Sequence, residues 1–332
     1  MESNTFLIKQ EDCGQRIDKY LTARMTDFSR ARIQKLLDEG QVMVNNKIVK
    51  ANHKLKLDEE VFIEIPDPIE VEIVAENIPL DIVYEDKELL IINKPKGMVV
   101  HPALGHYSGT LVNALMYHCQ GELSGINGEL RPGIVHRIDM NTTGLLLVCK
   151  SDYAHNFIAN QLRVHSITRK YHAIVHGVLK EDEGTIDAPV GRDPKERKRM
   201  AVNYENGKDA ITHYRVLKRF KNYTYIECQL ETGRTHQIRV HMTSIGHPLL
   251  GDDVYGPKSC PYRLTGQTLH AKVLGFVHPR SRKYLEFDSD LPEYFQKFVI
   301  IRTFLVLLDL LLESCVQKNN TDYIAFPVEN RS

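Results

Sequence analysis

No tryptophan occurs among the 332 residues, an absence that decides little, and cysteine is sparse. The six cysteines, Cys13, Cys119, Cys149, Cys228, Cys260 and Cys315, are scattered without a Cys-x-x-Cys pair. That pattern argues against a zinc ribbon or a disulfide framework and fits reduced thiols in a cytoplasmic protein. No His-Glu-x-x-His or mixed Cys/His ligand spacing is present, so His136, His236 and His241 are expected to be ordinary hydrogen-bonded histidines, with no metal site. The start Met1-Glu2-Ser3-Asn4 carries an acid where a secretory signal carries positive charge, and no export is expected. Long apolar runs are also missing. The most apolar stretch, 298–312, is interrupted by Arg302 and Asp309 and falls short of the roughly 20 residues a membrane span needs. An amphipathic or core-docking helix is expected there, followed by a polar tail, and no membrane partner.

Net charge is absent too: 43 basic residues balance 43 acidic ones, which taken alone argues against a nucleic-acid binder. The balance hides segregation. Between Gly14 and Lys56 ten basic residues face four acidic ones, an excess of six positive charges. From Leu57 to Leu90 Lys87 alone opposes twelve acids, an excess of eleven negative charges. Such asymmetry points to polyanion contact at one end of the chain.

At this length, with 42% hydrophobic residues, one large core plus a small module is expected. Ile17, Tyr20 and Leu21, then Ile33, Leu36 and Leu37, fall at helical spacing, with Ser29 capping the second helix and Gly40 ending it. Val42-Met43-Val44 and Lys47-Ile48-Val49 flank the polar turn Asn45-Asn46 and read as a hairpin, with a further strand at Val61–Ile65. Pro66-Asp67-Pro68 sets a boundary. The expected organisation is a small domain over 14–65, an acidic linker over 66–79, a large domain over 80–298, and a segment of unassigned role over 299–332.

In the large domain strands are expected at Leu89–Ile92, Gly133–His136, Gly144–Cys149, Tyr171–Val175, Thr212–Leu217 and Tyr223–Leu230. Helices are expected at Ser108–Tyr117, Tyr153–Val164 and Thr235–Ile245. Strands outnumber helices without a βαβ rhythm, so the expected class is α+β with a mostly antiparallel sheet.

The segment His136-Arg137-Ile138-Asp139-Met140-Asn141-Thr142-Thr143-Gly144 places one carboxylate in a polar loop between two apolar runs. Read alone, Asp with Asn and Thr is turn chemistry. The segment resembles the catalytic loop of the RluA/RluD family of pseudouridine synthases, with Ile138 and Thr143 where that family has Leu and Ser. Four further stretches match in family order: Asn93–Pro102, Arg169–Val175, Thr232–His241 continuing through Gly246–Asp252, and His270-Ala271 with His278-Pro279. The N-terminal region resembles the S4 RNA-binding module through Arg16–Leu21, Ser29-Arg30, Gly40–Val42 and Val44-Asn45, with Asp58-Glu59-Glu60 where that module shows Gly-Asp.

The resemblance implies a uridine isomerase that breaks the C1′–N1 bond, turns the base and joins C1′ to C5, without metal or other cofactor. It assigns the essential carboxylate to Asp139, the ion pair that keeps that acid charged to Arg234, and the pocket ring over the uracil to Tyr171. Arg137 would fill the space left by the everted base. RNA contacts are expected at Arg16, Lys19, Arg30, Arg32 and Lys35, and in the basic loop at Arg192, Arg197, Lys198 and Arg199. Large-subunit ribosomal RNA is the expected substrate of a monomeric enzyme. The alternatives are transfer RNA, a non-catalytic RNA-binding or ribosome-assembly factor, and a metal-dependent hydrolase.

Overall fold

The computed structural model describes residues 2–66 and 73–303, apart from 104, 127, 129, 130, 197, 198, 261 and 263. The chain divides into two compact units between residues 71 and 72.

The first unit contains β1 (Glu2–Leu7), α1 (Ile17–Arg24), α2 (Arg30–Asp38), β2 (Val42–Val44), β3 (Lys47–Ile48) and β4 (Glu60–Ile65). The strands form an antiparallel sheet in the order β1-β4-β2-β3. Ile17, Leu21, Ile33, Leu36 and Leu37 bury against Val42, Val61 and Ile63 in one core. Ser29 caps α2 by accepting the Arg32 N–H at 3.3 Å. Asn45 and Asn46 have φ of 47° and 61°, the left-handed pair a tight hairpin turn demands. Asp58 also sits at positive φ, 61°, and so does without glycine what the turn before β4 requires. Strand β1 precedes residue 14, where the module was expected to begin. Its polar start, Glu2-Ser3-Asn4-Thr5, carries no apolar alternation, and its place comes from pairing with β4 along its whole length.

The second unit runs through β5 (Ile82–Glu85), β6 (Leu89–Lys94), α3 (Leu111–Cys119), β7 (Thr143–Cys149), α4 (Asp152–Arg163), β8 (Thr168–His176), β9 (Glu183–Asp187), β10 (Val190–Arg192), β11 (Met200–Val202), β12 (Ile211–Arg219), β13 (Tyr223–Leu230), α5 (Gln237–Ser244), β14 (Leu269–Val277) and β15 (Tyr284–Asp288). The main sheet has the order β5-β6-β7-β14-β8-β13-β12-β9, with β15 on β14 and β10–β11 a separate hairpin. Among the described residues every named strand pair is antiparallel except β7 with β14, so the α+β class with a mostly antiparallel mixed sheet holds. Strand β7 is buried along its length and alternates between two cores. Leu146 and Val148 face α3 and α5, while Leu145, Leu147 and Cys149 face α4.

Two expectations need correction. Gly133–His136 is not a strand: Gly133 turns at φ 71°, and only Ile134 bridges to Val148. Its apolar residues reflect burial, which periodicity cannot separate from pairing. Within the expected linker, 67–72 lie outside the described residues, but 73–79 attach to the second unit: Asn113 Nδ2 donates to the Val74 carbonyl at 2.8 Å and Glu76 N–H to the Asn113 carbonyl at 2.9 Å. Of the C-terminal segment, residues 293–303 are helical and Phe298 packs edge-on against Phe220, Tyr223 and Tyr262; 304–332 lie outside the described residues. No helix among the described residues is long and apolar enough to cross a membrane.

Candidate active site

The Asp139 loop enters β7 at its buried start, and its backbone is held from several sides. Lys94, at the end of β6 and fully buried, donates from Nζ to the carbonyls of Pro95, Met98 and Met140 at 2.8, 2.9 and 2.9 Å. Burial lowers its pKa to about 7, opposed by the Asp139 carboxylate. Gly97 N–H donates to the Met140 carbonyl at 3.0 Å, and the Gln267 amide to Thr142 Oγ1 at 3.0 Å. His136 Nε2 accepts the Leu147 N–H at 3.0 Å, and burial pulls its pKa down to about 3. Downstream, Gly144 pairs with Ala271 of β14 so closely that a Cβ would lie 2.3 Å from the Ala271 carbonyl oxygen. That approach, at φ 105°, requires glycine.

The sheet order brings the other groups to this loop. Ala271 pairs with Gly144 on one side and with Tyr171 of β8 on the other, so Tyr171 lies two strands from the loop's exit. Asp139, Tyr171, Arg137 and Arg234 line one cavity of about 600 Å³, together with Arg163, Arg169, His236 and Arg239. Tyr171 is nearly buried, and burial first, then the Asp139 charge, raise its pKa against the opposing pull of Arg169. Arg137 is exposed at the cavity. Five arginines thus meet Asp139 in one opening, an excess of positive charge fitted to a polyanion.

The ion pair of Asp139 is made by Arg239, not by Arg234 as expected. Arg239 NH1 donates to Asp139 Oδ2 at 3.0 Å, while Arg234 Nε donates to the Asp209 backbone carbonyl at 2.9 Å. The physical reason is where α5 begins. His236 precedes it in a left-handed conformation, φ 58° and ψ 19°, and the helix starts at Gln237. Arg234 therefore precedes the turn, whereas Arg239 sits in the first turn of the helix. Asp252, fully buried, takes the other edge of the Arg239 guanidinium through Nε at 2.7 Å and NH2 at 2.9 Å. Burial alone would lower the Arg239 pKa; the Asp252 and Asp139 carboxylates raise it instead, so the cation persists. His236 Nε2 stands 3.8 Å from the other Asp139 oxygen, and burial pushes its pKa down, opposed by that carboxylate. Arg239, His236, Lys94 and Asp252 all fall inside the matching stretches already quoted, but nothing in their spacing singles them out.

The expected RNA contacts are placed unevenly. In the first unit Lys19, Arg30 and Lys35 are exposed and Arg16 and Arg32 half-buried; Lys35 pairs with Glu39 at 3.5 Å, and Arg16 and Arg30 both bind Asp18. In the second, Arg192 is exposed and Arg199 pairs with Glu196 at 3.3 Å; Arg197 and Lys198 lie outside the described residues. Among the described residues no group of three His, Cys, Asp or Glu side chains is arranged to hold a metal ion.

Residues 88–244 match the RNA pseudouridylate synthase family and residues 15–61 the S4 domain. The chain is 55% identical over 284 residues to an uncharacterized RNA pseudouridine synthase, YlyB, of Bacillus subtilis, covering 86% of this chain and 93% of that one. It is 47% identical over 306 residues to ribosomal large subunit pseudouridine synthase D of Zymomonas mobilis, covering 89% and 96%. Among solved structures, human RNA pseudouridylate synthase domain containing 1 superposes with a TM-score of 0.53 at 27% identity, over 68% of this chain and 86% of that one. With a relative this similar along nearly its whole length, and with the loop, sheet and cavity described above, the chain belongs to the RNA pseudouridylate synthase family and is an S4-domain RNA pseudouridine synthase, an isomerase acting on RNA.

Proposed function

We propose that the enzyme isomerises specific uridines of large-subunit ribosomal RNA, with the Asp139 carboxylate as the reacting acid. The observation that carries this reading is the meeting of Asp139, Tyr171 and Arg239 in one cavity open to a nucleotide. Arg239 donates to Asp139 Oδ2 at 3.0 Å, and the acid keeps 18% of its side-chain surface exposed where it lines the cavity. Whether the acid attacks C1′ or C6 or removes a proton, each route needs an ionised carboxylate against the everted base. Tyr171, its phenol kept protonated by burial, supplies a ring for the uracil to lie against and a hydroxyl for proton transfer at C5. Arg137, exposed at the rim, fills the space the base vacates.

The S4 unit grips folded RNA through Arg16, Lys19, Arg30, Arg32 and Lys35, and the basic loop from Arg192 through Arg197 and Lys198 to Arg199 contacts phosphates. The ribosomal substrate is supported by the relatives named for the large subunit, and transfer RNA is the second substrate to test. The five described free cysteines support a reducing compartment, the cytoplasm, where the enzyme acts as a monomer.

Two measurements test the reading. Tritium release from uridine-labelled RNA should vanish in Asp139→Asn while RNA binding persists, and turnover by that variant removes the acid from the mechanism. Mapping pseudouridines in cells with and without the gene should show the lost site in large-subunit RNA; loss from transfer RNA alone moves the substrate there.

A further inference from the structure

One residue outside the cavity lining touches almost everything that holds the reacting acid. Tyr255, buried in the turn after Asp252, has the Arg199 and Arg239 guanidinium carbons 5.1 and 5.0 Å from its ring centroid, and the His236 ring meets it edge-on. Its backbone N–H donates to Asp252 Oδ1 at 3.0 Å, the oxygen that also accepts from Arg239 NH2. Its hydroxyl accepts the Met200 N–H at 2.9 Å, at the start of β11. Met200 and Arg199 end the basic loop, and Arg239 and His236 stand at the Asp139 carboxylate. Tyr255 is therefore where the loop and the acid are joined.

The hydroxyl also decides the imidazole's proton. Tyr255 Oη lies 2.8 Å from His236 Nδ1 and already accepts from Met200. Its own proton is directed to Nδ1, the one acceptor it reaches among the described residues. Neutral His236 must then carry hydrogen on Nε2, the nitrogen facing Asp139 Oδ1 at 3.8 Å. That separation is longer than a hydrogen bond, so the N–H acts on the carboxylate as an oriented dipole. His236 itself sits at φ 58°, a conformation side-chain-bearing residues rarely adopt.

We propose that Tyr255 is a positioning residue for the isomerase: anchored on the basic hairpin through Met200, it fixes the His236 tautomer whose Nε2–H orients the Asp139 carboxylate. It thereby links phosphate contact on the loop to the geometry of the reacting acid. This rests on Asp139 being that acid.

Tyr255→Phe keeps the ring and its guanidinium contacts and removes the hydroxyl alone. On whichever unmodified transcript the wild type turns over, large-subunit ribosomal or transfer RNA, kcat should fall about tenfold or more with KM within about twofold, since misaimed groups cost rate rather than affinity. In a His236→Gln background, where an amide offers its N–H without help, the same substitution should change kcat little. Wild-type kcat in Tyr255→Phe, or full additivity in the double variant, overturns the proposal. A second measurement needs no variant at position 255. In spectra of protein labelled with nitrogen-15 histidine, the His236 signals, assigned by their loss in His236→Asn, should show an imine-like Nδ1 and a protonated Nε2. A proton on Nδ1 instead overturns the proposal. Asp139→Asn measured alongside separates the two claims: its turnover sinks the assignment of the acid, while the cycle and the tautomer still report on Tyr255.

Discussion

The tripeptide Arg-Ile-Asp occurs twice, at 16–18 in the S4 unit and at 137–139 in the catalytic unit, and the two copies have opposite fates. Asp18 is fully buried and accepts five hydrogen bonds, two each from Arg16 and Arg30 and one from Gln34. Burial alone would raise its pKa, but these donors pull it well below the carboxylate range. Asp139 keeps 18% of its side-chain surface exposed and, among the described residues, accepts one side-chain bond, from an arginine a hundred positions away. Arg137, its counterpart to Arg16, is exposed at the cavity instead. The first copy lies at a helix start, where Arg16 precedes α1 and Asp18 occupies its first turn; the second lies in a loop. A fully buried carboxylate held by five donors holds structure, while a partly exposed one lining a cavity with a single side-chain donor is a candidate for chemistry.

The largest test of this contrast after Asp139→Asn is Arg239→Leu. Removing the cation should lower kcat about a hundredfold, while Arg234→Ala lowers it no more than about fivefold, because electrostatic support depends on which guanidinium meets the acid. Single-turnover rates on labelled RNA decide this, and equal losses would return the ion pair to Arg234.

Asp18→Asn should act on stability and RNA affinity, not on the chemical step. A fully buried ion pair broken at one partner costs about 3 to 5 kcal/mol; Arg16 and Arg30 are 42% and 47% exposed and rehydrate, so about 2 kcal/mol is expected here. Because the folded pKa is depressed, this contribution is complete above the ordinary value of 3.8 and is lost on acidification below it. Urea unfolding at neutral and acid pH measures it, with KM rising and kcat held; a fall in kcat alone would break the contrast.

The smallest expected effect concerns Lys94 under the Asp139 loop. With its pKa near 7 when folded and 10.5 when unfolded, the unfolded chain holds the extra proton between those values, so the site's contribution rises with pH. The stability gap between wild type and Lys94→Met should widen by up to about 2 kcal/mol from pH 7 to pH 9. A constant gap in urea midpoints would mean that Lys94 stays an ammonium throughout.

Local pattern made much of this legible. Helices α1 and α2, the Ser29 cap and the alternation of β13 follow from spacing and side-chain chemistry within a few residues. Strand β1 and the pairing of β7 with β14 did not, since a polar strand and a parallel neighbour 127 positions away leave no local mark. The motifs around Asp139, Tyr171 and 232–241 marked the neighbourhood of the site. They left two arginines five residues apart with no means of ranking them.

The sequence by itself determined the family, the S4 module and the α+β class, because these rest on residue types in a fixed order. Only the tertiary structure decided that Arg239 pairs with Asp139, that Asp18 is buried under five donors, and that Tyr255 joins the basic hairpin to His236. Which donor reaches which oxygen depends on where a helix starts and which strands lie side by side, and those are set by burial of the whole core.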